Sequence, residues 1–150
     1  IGGGDYFRLH PGDISLINAQ SGQLLVRLQG HRMPVTGLFF MPDGNTLVST
    51  SVDMTVRLWD VATGTQTRVL EVTSPVGRTT LHPDSGRFSL SCFDGTVRIW
   101  ETETWQEVAK LPRTHDFEAA TLYHENYGAE RSGEINGLTF SPDGNTLLVG

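Results

Sequence analysis

Short apolar runs alternate with turn-forming residues along nearly the whole chain. In the clearest stretch the runs are Val35–Phe40, Thr46–Ser51, Thr55–Asp60 and Gln66–Leu70. The segments between them are rich in Pro, Asp, Gly and Asn, which favour turns because proline fixes φ, aspartate bonds back to the chain and glycine permits positive φ. Runs this short that are rich in Val, Phe, Leu and Thr are typical of antiparallel strands rather than helices. The pattern therefore predicts an all-β chain.

The series of runs and turns repeats at a fixed period. Copies of the first run and its following turn are found at 35–48, 76–86 and 135–148. The turn recurs after 41 residues, from Pro42 to Pro83, and the tryptophan that ends the third run does the same, from Trp59 to Trp100. Two independent landmarks that share one period indicate internal duplication.

Four short strands per period, with Trp-Asp at the end of the third, resemble a WD40 repeat. The residues that carry the resemblance are Gly30-His31, Ser51, Asp53 and Trp59-Asp60, in the order of the family's signature. The resemblance implies a β-propeller, in which four-stranded antiparallel blades stack around a central channel. The fold expected here is a partial WD40 propeller, that is, an incomplete ring of such blades.

The repeat pattern also predicts how the chain divides. We expect the end of a first blade at 1–29, a second blade at 30–71, a third at 72–112, an inter-blade insertion at 113–133 and the start of a fourth blade at 134–150. Because blades stack face to face, such a piece would leave apolar faces uncovered. We therefore expect the 150 residues to be a fragment of a longer protein. The alternative is that copies associate to complete a ring.

The resemblance further implies a buried polar network in the second blade. In that network His31 would join Asp53 to a strand hydroxyl, and the indole N–H of Trp59 would reach the same hydroxyl. Either Ser49 or Ser51 could supply it, and the sequence leaves both open. Such a set is chemically sensible because buried polar groups need partners.

The third and fourth blades depart from this pattern. The third keeps Asp94 and Trp100 but has Val72 at the position of the histidine, and the fourth has Arg131 there. We therefore expect their networks to be broken and both blades to be less rigid than the second.

A serine, a histidine and an aspartate together also suggest a hydrolase. The chain has no GxSxG motif, and these residues fall at positions that the repeat defines, so a structural role is the better prediction. We predict a chain that is not an enzyme. The alternative is the propeller portion of a peptidase or a lactonase-like hydrolase, with its catalytic residues outside this segment.

The insertion is the most distinctive departure from the repeat. Pro83 and Pro142 are 59 residues apart, 18 more than the period. Long loops in compact domains are usually functional or disordered, and aromatic side chains dominate interface energetics. The insertion is thus a candidate partner-binding loop whose anchors would be Phe117, Tyr123 and Tyr127.

A metal site in the insertion is a weaker interpretation. His115, Asp116, His124 and Glu125 are suitable ligands, but the nine-residue spacing of the histidines does not fit a helical pair. We predict no metal and no cofactor.

The resemblance also implies a peptide-binding face. In the family, the turn after the second strand and the positions that flank the first residue of the first strand commonly line it. The corresponding candidates are Pro34, Thr36, Val52, Pro75, Gly77, Phe93, Glu134 and Asn136.

Composition and charge argue against several further classes of protein. There are 17 Asp and Glu against 11 Lys and Arg, a net charge of −6, which argues against a nucleic-acid interface. No apolar run approaches the roughly 20 residues of a membrane span, and the single Cys92 excludes an internal disulfide. We therefore expect a cytoplasmic, non-catalytic scaffold that binds a protein or peptide and does not bind membranes. Further blades of the same propeller would complete its ring. A link to a signalling module is a further expectation.

Overall fold

The structure, a computed structural model, describes residues 12–112, 135 and 137–150. This part of the chain contains twelve strands and no helix. Their bounds are β1 Ile14–Ile17, β2 Leu24–Leu28, β3 Val35–Phe40, β4 Thr46–Ser51, β5 Thr55–Asp60, β6 Gln66–Glu71, β7 Val76–Leu81, β8 Arg87–Cys92, β9 Val97–Glu101, β10 Glu107–Leu111, β11 Leu138–Phe140 and β12 Leu147–Val149.

The strands form four separate antiparallel sheets, each made of strands that are consecutive in the chain. We name them blade one (β1–β2), blade two (β3–β6), blade three (β7–β10) and blade four (β11–β12). Blades two and three are complete four-stranded meanders, which confirms the predicted all-β class and the four-stranded antiparallel blades.

The turns between strands follow from local side-chain chemistry. In the turn from β3 to β4, the carboxylate of Asp43 accepts the backbone N–H groups of Asn45 and Thr46, each at 2.8 Å. Gly44 has a φ of 67°, which a glycine adopts without steric cost. An aspartate followed by a glycine thus reverses the chain within four residues and sets the strand register.

The hydrophobic core lies between the blades. Ile14 and Leu28 of blade one pack against Leu47 and Trp59 of blade two. A second cluster joins blades two and three and contains Val48, Val56, Leu58, Phe88, Leu90 and Trp100. Each complete blade therefore buries apolar side chains on a shared interface with a neighbour, which is how a propeller forms a core from thin sheets.

Candidate functional site

Four side chains of blade two form one buried hydrogen-bonded network. His31 Nδ1 lies 2.9 Å from Asp53 Oδ2, and His31 Nε2 lies 2.7 Å from Ser49 Oγ. Trp59 donates its indole N–H to the same Ser49 oxygen at 2.8 Å. The carboxylate only accepts, so the ring donates from Nδ1 and accepts the Ser49 proton at Nε2.

The network joins parts of blade two that are distant in sequence. Ser49 and Trp59 stand on the central strands β4 and β5, His31 belongs to the connection that precedes β3, and Asp53 lies in the turn from β4 to β5. Asp53 also accepts the backbone N–H of Arg32 at 2.9 Å. One set of polar bonds therefore fixes the turn and the incoming connection to the centre of the sheet.

The charge state of Asp53 depends on these bonds. Burial alone would raise the pKa of Asp53, but hydrogen bonds from His31, from the Thr55 hydroxyl and from the Arg32 backbone hold it well below its usual range. Carboxylates that accept several hydrogen bonds behave in this way because the bonds favour the ionised form.

Ser51 lies outside the network, although the sequence left it open as an alternative to Ser49. Its hydroxyl is within hydrogen-bond distance of the Met33 and Pro34 carbonyls and accepts the N–H of Asp53. Ser51 thus ties β4 to the connection before β3 by backbone contacts, and Ser49 alone lies between the histidine and the tryptophan.

The distances among Ser49, His31 and Asp53 resemble those of a hydrolytic triad, but the surroundings do not suit catalysis. A nucleophilic serine has to meet the carbonyl carbon of a substrate. Ser49 has no exposed surface, and its oxygen already accepts the Trp59 N–H. The arrangement can therefore stabilise a blade, whereas it has no room for an acyl group.

Blade three lacks the equivalent network. Leu90 pairs with Arg98 as Ser49 pairs with Arg57, so a leucine occupies the place of the serine. Val72 is buried, and the indole N–H of Trp100 has no hydrogen-bond partner among the described residues. An orphaned buried donor costs free energy, so we expect blade three to be the less stabilised of the two complete blades.

In blade three, ion pairs rather than a histidine hold the turn from β8 to β9. Arg98 is buried and donates to Asp94 at 3.0 Å and to Glu107 at 3.4 Å. Partial burial opposes ionisation, but hydrogen bonds from Thr96 and Arg98 keep the pKa of Asp94 below its usual range. This role of Arg98 was not predicted from the sequence, in which the recurrence of arginine at positions 57 and 98 was the available signal.

The connections between blades lie at the same end of the sheets as the turn that follows the second strand of each complete blade. We call this end the upper rim, and it comprises residues 29–34, 52–54, 71–75 and 93–95. Backbone bonds join these segments: Val52 donates to Pro34 and Phe93 donates to Pro75. The Val72 N–H reaches the Met54 carbonyl, which links blade two to the connection of blade three. The upper rim is thus a continuous surface across two blades.

The predicted partner-binding residues at the upper rim differ in solvent exposure. Pro34 is buried, while Val52, Pro75 and Phe93 are half-buried. The Phe93 ring lies over Gly77, where a Cβ would stand 3.2 Å from its Cε1 atom. The hydroxyl of Thr36 donates to the Val76 carbonyl at 2.9 Å and so helps to join blades two and three.

Several predicted residues lie outside the described part of the chain. They are Phe117, Tyr123, Tyr127, Arg131, Glu134, Asn136 and the proposed ligands His115, Asp116, His124 and Glu125. Within residues 12–112, 135 and 137–150, no group of three or more His, Cys, Asp or Glu side chains is placed to hold a metal ion. The same residues include no helix long and apolar enough to cross a membrane.

The sequence is similar to known repeat proteins. The family model described as "WD domain, G-beta repeat" matches residues 22–60 and 64–101, about half of the chain. Periodic tryptophan protein 2 homolog of Neurospora crassa is 34% identical over 142 residues, which are 92% of this chain and 16% of that protein.

Two further relatives match shorter stretches. Target of rapamycin complex subunit wat1 of Schizosaccharomyces pombe is 37% identical over 47% of this chain and 22% of its own length. U3 small nucleolar RNA-associated protein 21 of Saccharomyces cerevisiae is 39% identical over 40% of this chain and 7% of its own length. The chain therefore spans less than a quarter of each of these relatives.

Proposed function

Because the chain belongs to the WD40 repeat family, we propose that it is a non-catalytic scaffold segment that binds protein partners as part of a larger propeller. The observation that carries the proposal is the position of the polar network. Its serine is sealed from solvent, while its aspartate and histidine hold the turn and the connection that form the upper rim. The buried hydrogen-bonded network thus holds the upper rim in place.

Protein partners agree with the name of one relative, which is a subunit of a target of rapamycin complex. Another relative is named for its association with a small nucleolar RNA, and its name does not bear on protein partners. We infer that this chain, too, works within an assembly of several proteins. Its acidic balance of −6 favours protein partners over nucleic acid. The exclusion of nucleic acid and the cytoplasmic localisation stay predictions, as does the link to a signalling module.

The proposed binding surface is the upper rim around Val52 and Phe93. Both side chains are half-buried, so each presents apolar surface from a backbone position that hydrogen bonds to Pro34 and Pro75 fix. Anchors that are already ordered lose little conformational entropy on binding. The aromatic residues of the insertion, Phe117, Tyr123 and Tyr127, stay further candidates.

No described residue favours the hydrolase alternative. The one Ser-His-Asp set in this part of the chain has a serine without exposed surface. We therefore propose that the blades bind and position other proteins and do not catalyse a reaction.

We expect a photo-crosslinking residue placed at Phe93 to form a covalent adduct with a second protein in cells that express the full-length protein. A matched probe at Val108, which is 51% exposed on the outer strand β10, should give none. If Val52 is an anchor, replacing it with serine should lower the yield of the adduct at position 93 by about tenfold. Mass spectrometry of the adducts and a thermal melt of each variant are the measurements.

Equal crosslinking at positions 93 and 108 would contradict the proposed surface. If Val52→Ser lowers the melting temperature as well as the adduct yield, Val69→Ser on the outer strand β6 provides the control for the loss of an apolar side chain. Val69 is 41% exposed and lies away from the rim.

A further inference from the structure

Met54 combines a left-handed backbone conformation with an exposed side chain at the upper rim. It follows Asp53 in the turn from β4 to β5 and has a φ of 63°. A residue with a Cβ adopts this conformation at a cost in free energy, because the Cβ crowds the following carbonyl oxygen. Blade three has Gly95 at the equivalent position, with a φ of 79°, and a glycine avoids that cost. The turn itself therefore does not require a methionine.

Trp105 shows how a fold offsets a left-handed backbone at a large residue. It has a φ of 57°, and its side chain packs against the hydrophobic cluster between blades two and three. Its ring centroid lies 6.0 Å from that of Phe88. Met54 has no such compensation in the described part of the chain, because it is 44% exposed and is not among the side chains that pack against either hydrophobic cluster.

The position of Met54 joins two segments of the upper rim. Val52 lies two residues before it in the same turn, and the Val72 N–H donates to the Met54 carbonyl oxygen at 2.8 Å. Any residue could accept that bond with its backbone, so the bond does not explain the side chain. Met54 thus lies where segment 52–54 meets segment 71–75, and its flexible, polarizable thioether suits a contact with another protein.

We infer that Met54 is a partner-binding residue whose side chain packs against an apolar side chain that a protein partner brings to the turn from β4 to β5. The inference rests on the proposed function, that is, on the upper rim as the binding surface. Residues in costly backbone conformations collect at ligand-binding sites. A residue that serves binding rather than stability has a measurable signature, since its removal weakens binding and leaves the fold as stable as before.

Met54→Gly separates binding from stability in the full-length protein. With the photo-crosslinking residue at position 93, this substitution should lower the adduct yield about tenfold, as expected for the loss of an interface anchor. The melting temperature should fall by no more than about 2 °C, because relief of the left-handed backbone offsets the greater freedom of glycine in the unfolded chain. Met54→Leu keeps an apolar side chain and should retain most of the yield.

Ser85→Gly is the matched control. Ser85 has the same φ of 63°, but it lies in the turn from β7 to β8, at the end of the sheets opposite the upper rim. The substitution therefore makes the same backbone change away from the proposed binding surface. We expect it to leave the adduct yield at position 93 unchanged.

Oxidation by hydrogen peroxide tests the same contact without a variant. In the purified full-length protein the exposed Met54 thioether should be oxidised faster than that of the half-buried Met41, which follows β3 at the opposite end of the sheets. In the complex with the partner that the adduct identifies, Met54 should be protected and Met41 should keep its rate.

The outcomes distinguish this inference from the proposed function. An adduct at position 93 whose yield Met54→Gly does not change would overturn the role of Met54 and leave the upper rim as the binding surface. Met54 oxidation that the partner does not slow, or a Met54→Gly protein that melts well below the wild type, would overturn that role as well. No adduct at position 93 in the wild type would contradict the upper rim as a binding surface, and Met54 with it.

Discussion

Replacing His31 with alanine should lower the free energy of unfolding by about 3 kcal/mol, the upper end of the cost of leaving buried polar groups without a hydrogen-bond partner. The substitution removes one hydrogen-bond partner of the Asp53 carboxylate and the acceptor of the Ser49 hydroxyl at once. Ser49 has no exposed surface and the Asp53 side chain is 5% exposed, so water replaces the lost bonds poorly. Chemical denaturation of the full chain, followed by tryptophan fluorescence, is the measurement.

A double-mutant cycle separates the network from the loss of side-chain volume. His31→Ala and Ser49→Ala should couple by at least about 1 kcal/mol, because the two side chains share one hydrogen bond. The matched cycle in blade three, Val72→Ala with Leu90→Ala, truncates the side chains at the equivalent repeat positions, which share no hydrogen bond. We expect a smaller coupling there. Additive effects of His31→Ala and Ser49→Ala would contradict a cooperative network.

The same network makes the free energy of unfolding depend on pH in the acidic range. Because hydrogen bonds depress the pKa of Asp53, its contribution is complete above the ordinary aspartate value of about 3.9 and is lost as the pH falls from there toward the folded-state pKa. The Asp53→Asn variant should be less stable than the wild type at pH 7 and should lose less on acidification to pH 3. Parallel acid profiles for the two proteins would show that other carboxylates determine acid unfolding.

The second large effect should come from Gly37→Ala. Gly37 lies on β3, where a Cβ would collide with the Thr79 methyl of blade three and stand 2.7 Å from Thr50 Oγ1. Threonine is stiff at χ1, so neither neighbour yields easily. We expect a loss of about 2 kcal/mol, typical of overpacking, measured by thermal and chemical denaturation.

A Thr79→Ser background is the matched control, because it removes the methyl with which the Cβ at position 37 would collide and keeps the hydroxyl that donates to the Ser89 carbonyl. Gly37→Ala should cost less in that background than in the wild type. Equal losses in the two backgrounds would mean that the approach of β3 to β7 is not what makes Gly37 necessary.

Sequence periodicity predicted the strands well because turn chemistry and alternating burial are local. The predicted runs Val35–Phe40, Thr46–Ser51 and Thr55–Asp60 are the observed β3, β4 and β5, and the fourth run extends by one residue to Glu71. Aspartate and glycine set these boundaries within a few residues of chain, so no long-range contact is needed to find them.

The details of the network could not be predicted in the same way. Ser49 and Ser51 lie on one side of the same strand, and only the register of β4 against β5, together with the path of the connection at His31, places Ser49 beside Trp59. The register likewise brings Leu90 to the corresponding place in blade three. A repeat sequence specifies equivalent positions but does not show which neighbour each side chain will meet.

The contacts of Arg98 and His82 lie outside the turn chemistry. Arg98 reaches Asp94 in the preceding turn and Glu107 on the next strand, while His82 Nε2 lies 3.0 Å from the carbonyl oxygen of Gly144, 62 residues away. Arg98 repeats Arg57 of blade two, which donates to Gln66 at the position equivalent to Glu107, so the recurrence of arginine was the available signal. His82 replaces Met41 of the blade-two pattern, and this difference is the signal that could have revealed its contact.

Residue-resolved hydrogen exchange tests most directly whether one intact network makes blade two the most stable part of the described chain. The amides of β4 and β5 should exchange at least tenfold more slowly than those of β8 and β9, where the tryptophan N–H has no partner and an ion pair replaces the histidine. His31→Ala should remove this difference. Equal protection of the two blades in the wild type, or a difference that survives His31→Ala, would contradict the role assigned to the network.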